Sequence, residues 1–84
     1  GECMEIKYSK SFLKSLSALD KRYKLNVLTS IEGLTRVPPE GDIKPLKGYD
    51  DTNRLRVGKY RILFRVIDGI LFIDSLGSRG DIYK

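Results

Sequence analysis

Two dipeptides, Gly58-Lys59 and Asp68-Gly69, constrain the fold of this chain more than any other feature of its sequence. Each separates runs rich in β-branched, aromatic and other apolar residues, and a glycine in a two-residue loop is typical of a tight β-hairpin. Because a two-residue loop fixes which residues face each other, the sequence predicts three consecutive antiparallel strands in a defined register. The predicted strands cover residues 54–57, 60–67 and 70–76.

The predicted register sorts the side chains of these strands onto two faces, since opposed residues project from the same face of a sheet. One face is apolar and suited to burial; it carries Leu55, Val57, Tyr60, Ile62, Phe64, Val66, Leu71 and Ile73. We call the other the open face; it carries Arg54, Arg56, Arg61, Leu63 and Arg65. The second hairpin places Phe72, Asp74 and Leu76 opposite Arg65, Leu63 and Arg61.

The arginines of the open face predict a surface that binds anions. Arg56 lies opposite Arg61, and like charges opposed across two strands are destabilising. The guanidinium group is suited to forked contacts with phosphate or carboxylate groups. Asp74 could neutralise one of the arginines but not all of them. The alternative is a solvated basic face on which Asp74 is only a structural partner.

The N-terminal half predicts a short strand followed by two amphipathic helices. Residues 4–8 alternate apolar and polar, and Ser9 and Asp20 are suited to cap the helices. The first apolar stripe is Phe12, Leu13, Leu16 and Leu19, and the second is Tyr23, Val27, Ile31 and Leu34. The expected fold is therefore α+β: an antiparallel sheet of about four strands, including the N-terminal one, with a two-helix hairpin packed on one face. Residues 37–53 are rich in proline and glycine and are expected to form a connector.

Length and composition limit the remaining possibilities. The 84 residues predict a single domain over residues 4–84, with residues 1–3 as a cloning remnant or a leader. The chain has no histidine and one cysteine, which excludes a Cys/His zinc site and a histidine-activated nucleophile. We expect no metal and no cofactor. No apolar run is long enough to span a membrane. The net charge of +5 fits a polyanion or an acidic protein as partner, and it fits a soluble basic surface equally well.

The segment LKGYDDTNRLRVGKYRILFRV over residues 46–66, followed by a hairpin and the tail GSRGDIYK, resembles the RelE/ParE superfamily of toxins. The resemblance covers the chain from Met4 and implies a small ribonuclease-like fold. It also implies a cytoplasmic toxin with a RelB-like antitoxin as partner. In this superfamily, RelE-type members cleave mRNA in the decoding site of the ribosome, and ParE-type members poison DNA gyrase.

The RelE-type motif has two basic residues before the glycine turn, an arginine after Gly-x-Tyr, and an arginine and a tyrosine in the tail. ParE-type tails usually lack that tyrosine, so the resemblance favours the RelE type, with ribosome and mRNA as partners. It implies catalytic roles for Arg61, Arg79 and Tyr83. The residues expected to contact RNA are Arg54, Arg56, Arg65, Lys44 and Lys47.

Such a toxin would cut RNA through the 2′-hydroxyl of the RNA itself, without a metal. Tyr83 is the leading candidate for the general base, because nearby arginines would favour its phenolate. Ser78 stands where many relatives have histidine, and Lys44 stands where some have a carboxylate, so the identity of the base is open. The alternatives are a ParE-like gyrase inhibitor and an inactive member that only binds RNA or the ribosome.

Overall fold

A computed structural model describes residues 5–36, 38–46 and 51–78. These residues form two helices packed on one face of a five-stranded sheet whose strand order is β1-β5-β4-β3-β2. Lys47, Arg79 and Tyr83 lie outside the described residues. The elements are β1 (Glu5–Tyr8), α1 (Lys10–Ser17), α2 (Lys21–Gly33), β2 (Asp42–Pro45), β3 (Asn53–Val57), β4 (Tyr60–Ile67) and β5 (Ile70–Ser78).

The predicted α+β class is confirmed, with two differences in the sheet. Strand β2 lies inside the expected connector and pairs antiparallel with β3, so the sheet has one strand more than expected. Strand β1 pairs with β5 in parallel, so the sheet is mixed rather than antiparallel throughout. Within the described residues, no helix is both long enough and apolar enough to cross a membrane.

The helices begin where the sequence predicts and bury most of the predicted stripes. The Ser9 hydroxyl accepts a hydrogen bond from the Phe12 backbone N–H at 2.9 Å, which caps α1. Asp20 occupies the N-cap position of α2, but its side chain makes no capping hydrogen bond. Leu13 was expected in the core and is instead exposed. The core consists of Phe12, Val27, Ile31 and Leu34 from the helical half, packed on Leu55, Ile62, Phe64, Leu71, Ile73 and Leu76 from the sheet.

The first hairpin has the predicted register, with Arg56 opposite Arg61 and Val57 opposite Tyr60. Gly58 has a φ of 58°, in the left-handed region that glycine adopts without a steric penalty. In the second hairpin, Asp68 and Gly69 both have positive φ, which is the pattern of a type I′ turn. Both turns therefore curve in the sense that matches the twist of their strands.

The second hairpin contains a β-bulge that the turn alone does not predict. Phe64 pairs with Ile73, but Leu63 pairs with Ser75, so Asp74 is an extra residue in β5. The predicted pairs Leu63–Asp74 and Arg61–Leu76 are therefore wrong. Gly77 faces Arg61 instead, and Leu76 turns into the core. Val66, expected in the core, lies near the turn and is exposed.

Candidate anion-binding face

The open face brings together the basic residues that the sequence singles out within the described chain. Lys44 of β2 lies opposite Arg54 of β3, and Arg56 of β3 lies opposite Arg61 of β4. Arg65 lies on the same face of β4, opposite Phe72 of β5. These residues sit on paired strands, so the backbone holds the spacing of their side chains.

Arg54 is a largely enclosed cation of this face. Its side chain is only 14% exposed, and its Nη2 atom lies 3.4 Å from the Asp42 carboxylate. The Arg54 Nε–H is buried and has no hydrogen-bond partner in the described part of the chain. A buried donor without an acceptor costs about 1–3 kcal/mol.

Arg56 and Arg61 place two positive charges opposite each other on β3 and β4. Arg56 is exposed and forms no ion pair with the residues that the structure describes. Asp42 lies opposite Arg56 in the β2–β3 register, yet its carboxylate contacts Arg54, the diagonal neighbour. The charge of Arg56 is therefore available to a ligand that approaches the open face.

Arg65 has a different environment, because Asp74 holds it in a forked contact. Its Nε donates to one oxygen of the Asp74 carboxylate at 2.7 Å, and its Nη2 donates to the other at 3.1 Å. The guanidinium also lies 5.2 Å from the centre of the Phe72 ring. The hydrogen bonds that Arg65 donates to Asp74, and the negative charge of that carboxylate, raise the pKa of Arg65 above its usual value. Arg65 therefore stays charged and is occupied by a partner within the chain.

The bulge at Asp74 is anchored by the junction between β1 and α1. The Ser9 hydroxyl donates to the backbone carbonyl of Asp74 at 2.6 Å, and the Ser9 N–H donates to the carbonyl of Ile73 at 3.0 Å. The same hydroxyl caps α1. Bulges redirect side chains, and this one directs the Asp74 carboxylate to Arg65.

Asp42 carries the second carboxylate of this face and is not predicted from the sequence. The sequence predicts a connector over residues 37–53, and only the pairing of β2 with β3 shows that Asp42 and Lys44 lie beside Arg54 and Arg56. The alternation Asp42-Ile43-Lys44, with Ile43 packed against the core, is the signal that could have found it.

The described residues offer few groups for acid–base or metal chemistry. No three Asp, Glu, Cys or His side chains within residues 5–36, 38–46 and 51–78 are grouped closely enough to hold a metal ion. Burial raises the pKa of the Tyr8 phenol, and the negative charge of Glu32 raises it further. Tyr8 is therefore protonated near neutral pH, and it stacks on Phe12 on the helical side of the sheet.

This chain is similar to known proteins in both sequence and fold. A family model described as "ParE toxin of type II toxin-antitoxin system, parDE" matches residues 6–83. A curated protein of Methanocaldococcus jannaschii named "Putative toxin RelE1" is 42% identical over 45 residues. That alignment spans 51% of this chain and 50% of the relative, so it covers about half of each.

Solved structures extend the similarity over nearly the whole chain. One is the archaeal RelE–RelB complex from Pyrococcus horikoshii OT3, with a TM-score of 0.79 and 28% identity. It matches 95% of this chain and 99% of the solved chain. The RelB–RelE antitoxin–toxin complex from Methanococcus jannaschii has a TM-score of 0.75 and 28% identity, covering 90% of this chain and 93% of the solved one. With a family match from residue 6 to residue 83 and this shared fold, the chain belongs to the ParE toxin family of type II toxin–antitoxin systems, within the RelE/ParE superfamily.

Proposed function

We propose that this chain is a RelE-type toxin that cleaves mRNA on the ribosome. The observation that carries the proposal is the arrangement of Arg54, Arg56 and Arg61 on two paired strands, with Arg56 directly opposite Arg61. The open face also carries the Asp42 and Asp74 carboxylates, but these contact Arg54 and Arg65, and the Arg56–Arg61 pair sets two cations directly opposite each other. This arrangement keeps cations together, as a phosphate backbone requires.

The two arginines of β3 are suited to bind the RNA backbone. Residues two apart on one strand lie roughly 6.6 Å apart, and neighbouring strands are about 4.8 Å apart, so the three guanidinium groups can surround one phosphodiester. The buried Arg54 Nε–H has no acceptor in the described part of the chain. Because that N–H is buried, the Arg54 side chain would have to turn outward before it could donate to a non-bridging phosphate oxygen. We assign contact with ribosomal RNA to Lys44 and Lys47, and Arg65 borders the phosphate site.

The proposed reaction is attack by the RNA 2′-hydroxyl on the neighbouring phosphorus. The O2′–P bond forms, the P–O5′ bond breaks, and the products are a 2′,3′-cyclic phosphate and a 5′-hydroxyl. A base takes the proton of the 2′-hydroxyl, and an acid returns one to the 5′-oxygen. We assign stabilisation of the phosphorane to Arg61 and Arg79, and the role of the base to Tyr83. This route requires no metal.

We expect dependence on the ribosome because these side chains are poor general acids and bases at neutral pH. The chain has no histidine, so none of its side chains has an unperturbed pKa near neutrality. Holding the 2′-hydroxyl in line with the leaving oxygen can supply much of the rate that acid–base catalysis lacks. We therefore expect free RNA to be a poor substrate and ribosome-bound mRNA a good one.

The test is cleavage of a defined mRNA, with purified ribosomes and without them. Cleavage should depend on the ribosome and leave 5′-hydroxyl ends, which can be ligated only after treatment with a polynucleotide kinase. Tyr83→Phe should lower the rate, because it removes only the phenolic hydroxyl. Ends that carry a 5′-phosphate would contradict the proposed chemistry. Binding to ribosomes without any cleavage would identify an inactive member instead.

Inhibition of DNA gyrase is the second candidate, and the description of the matching family as ParE toxins favours it. A gyrase supercoiling assay with the same protein preparation separates the two functions. Inhibition of supercoiling without mRNA cleavage would establish the ParE-type activity. The RelE-type proposal expects the reverse result.

A cognate RelB-like antitoxin is the proposed partner. The two archaeal relatives described above are both toxin–antitoxin complexes, which supports this assignment. An antitoxin segment with carboxylates would relieve repulsion on the open face and hide the site. Because it binds the folded toxin, it should raise the melting temperature. Its affinity should fall as salt rises; a flat dependence on salt would exclude the open face as the main contact.

A further inference from the structure

A second candidate binding site lies on the helical side of the sheet, away from the open face. Asn26 and Val27 of α2, together with the end of the first hairpin, enclose a cavity of about 80 Å³. That volume falls between the ~15 Å³ that holds one water and the ~150 Å³ of a cavity that binds benzene. It suits a single branched aliphatic side chain. The lining residues are Tyr23, Asn26, Val27, Val57, Gly58, Lys59 and Tyr60.

Two tyrosine rings and a lysine define the chemistry of this pocket. The Tyr23 and Tyr60 rings meet edge to face, with their centres 5.7 Å apart and an interplanar angle of 68°. The Lys59 Nζ atom lies 5.4 Å from the centre of each ring. The Arg22 guanidinium lies 5.8 Å from the centre of the Tyr23 ring. An apolar pocket therefore has two cations at its border.

We propose that this pocket binds a segment of the antitoxin in which a branched aliphatic side chain stands next to a carboxylate. The aliphatic group would enter between Tyr23 and Val57, and the carboxylate would meet Lys59. Charge complementarity selects this occupant, since the cations at the border would repel a basic segment. The inference rests on the proposed function for the identity of the partner. The chemistry of the pocket can be tested without it.

The position of the pocket shows how one segment could contact both faces. Val57 and Tyr60 belong to the sheet face that the helices cover, whereas Arg56 and Arg61, their neighbours in sequence, belong to the open face. The exposed Gly58-Lys59 turn lies between them. A segment that passes around this turn would reach the pocket and the arginines without crossing the core.

Short peptides test the pocket directly, by NMR titration of the ¹⁵N-labelled full chain. The probe is acetyl-Leu-Glu-amide, and the matched probes are acetyl-Leu-Gln-amide and acetyl-Ala-Glu-amide. The Leu-Glu peptide should shift the amide signals of Asn26, Val57, Lys59 and Tyr60. Replacing Leu by Ala should weaken binding about tenfold, and replacing Glu by Gln about twofold to fivefold.

Lys59→Gln and its control Lys14→Gln identify the cation that selects the carboxylate. Both lysines are exposed, and Lys14 lies on α1, outside the pocket. Lys59→Gln should remove the preference for Glu over Gln, whereas Lys14→Gln should keep it. Shifts confined to the open face, or equal binding of the Leu and Ala peptides, would overturn the proposal. Failure of mRNA cleavage would not, because the titration reads the pocket and not the nuclease.

Discussion

The two ends of the open face use the same side chain in opposite ways. At one end, Arg65 donates two hydrogen bonds to Asp74 and lies against Phe72. At the other, Arg54 lies 3.4 Å from the Asp42 carboxylate, and Arg56 is exposed. The difference does not lie in the arginines. It arises because β5 supplies a well-placed carboxylate and β2 supplies a distant one.

This contrast separates an arginine that stabilises the sheet from arginines that can bind a ligand. A forked, charge-assisted contact already satisfies Arg65, so a phosphate would have to displace Asp74. Arg54 would exchange its long contact to Asp42 for a contact to phosphate, and Arg56 would gain a counter-charge. We therefore assign the Arg54–Arg56 end, and not the Arg65 end, to the RNA backbone.

The largest expected effect is on catalysis. Arg61→Ala should lower the rate of ribosome-dependent cleavage by about 100-fold or more, the scale of removing one donor that stabilises a transition state. Measurement of single-turnover cleavage rates with ribosomes in excess would isolate this step. Arg36→Ala is the matched control, because it removes an exposed arginine outside the sheet that pairs with Glu40. Cleavage by Arg61→Ala at the rate of the control would exclude Arg61 from the reaction.

Next in size is the stability that the Arg65–Asp74 pair contributes. Arg65→Ala and Asp74→Ala should each lower the free energy of unfolding by about 1–2 kcal/mol, because each breaks a charge-assisted, partly buried contact. A double-mutant cycle by urea denaturation should give a coupling energy of about 1 kcal/mol. Additive losses would show that the forked contact contributes nothing beyond its separate side chains.

A smaller effect is expected at the other end of the face. Asp42→Asn removes the charge that competes for Arg54, and it should cost less than about 1 kcal/mol of stability because the pair is long and Asp42 is exposed. Binding to ribosomes should become about twofold to fivefold tighter at low salt. The same substitution at Asp74 should not tighten binding. Weaker binding by Asp42→Asn would mean that Asp42 positions Arg54 for the ligand.

The smallest effect concerns alkaline pH and serves as a reference outside the open face. Folding raises the pKa of Tyr8, so the stability that the protonated phenol contributes is fully present below the unfolded pKa near 10. That stability is lost as pH rises through the folded pKa. Tyr8→Phe keeps the stacking on Phe12 and should lose less stability than wild type between pH 9 and 11. Urea denaturation at both pH values measures this. In a Glu32→Gln background, the difference between Tyr and Phe at position 8 should be smaller. The substitution removes the second cause of the raised Tyr8 pKa.

The parts of the fold set by local rules could be predicted from the sequence. The two turns gave the hairpins and the opposition of Arg56 and Arg61, because a two-residue loop leaves no freedom in the adjacent pairs. Ser9 was identified as the cap of α1, because its hydroxyl needs only the backbone N–H three residues later. The apolar spacing likewise identified Val27, Ile31 and Leu34 as core.

The parts of the fold decided by contacts between residues distant in sequence could not be predicted. Strand β2 has four residues and ends in Pro45, so its strand signal is weak until β3 lies beside it. The parallel neighbour of β1 depends on packing across the whole sheet. The bulge at Asp74 depends on Ser9, which is 65 positions away. The partners of Arg54 and Arg65 both arise from such contacts, so the charged state of the open face was only partly predictable.

The bulge also bears on which changes of length the gene can tolerate. Before Asp74, the even positions of β5 belong to the open face, and after it the odd positions do, as Phe72 and Gly77 show by their partners. Losing the codon for Asp74 or Ser75 would close the bulge. All the remaining residue pairs between β4 and β5 would keep their register. Losing the codon for Phe72 would move Ile73 out of the core. A library of single-codon deletions, selected for folded protein, should therefore retain β5 variants mainly at positions 74 and 75.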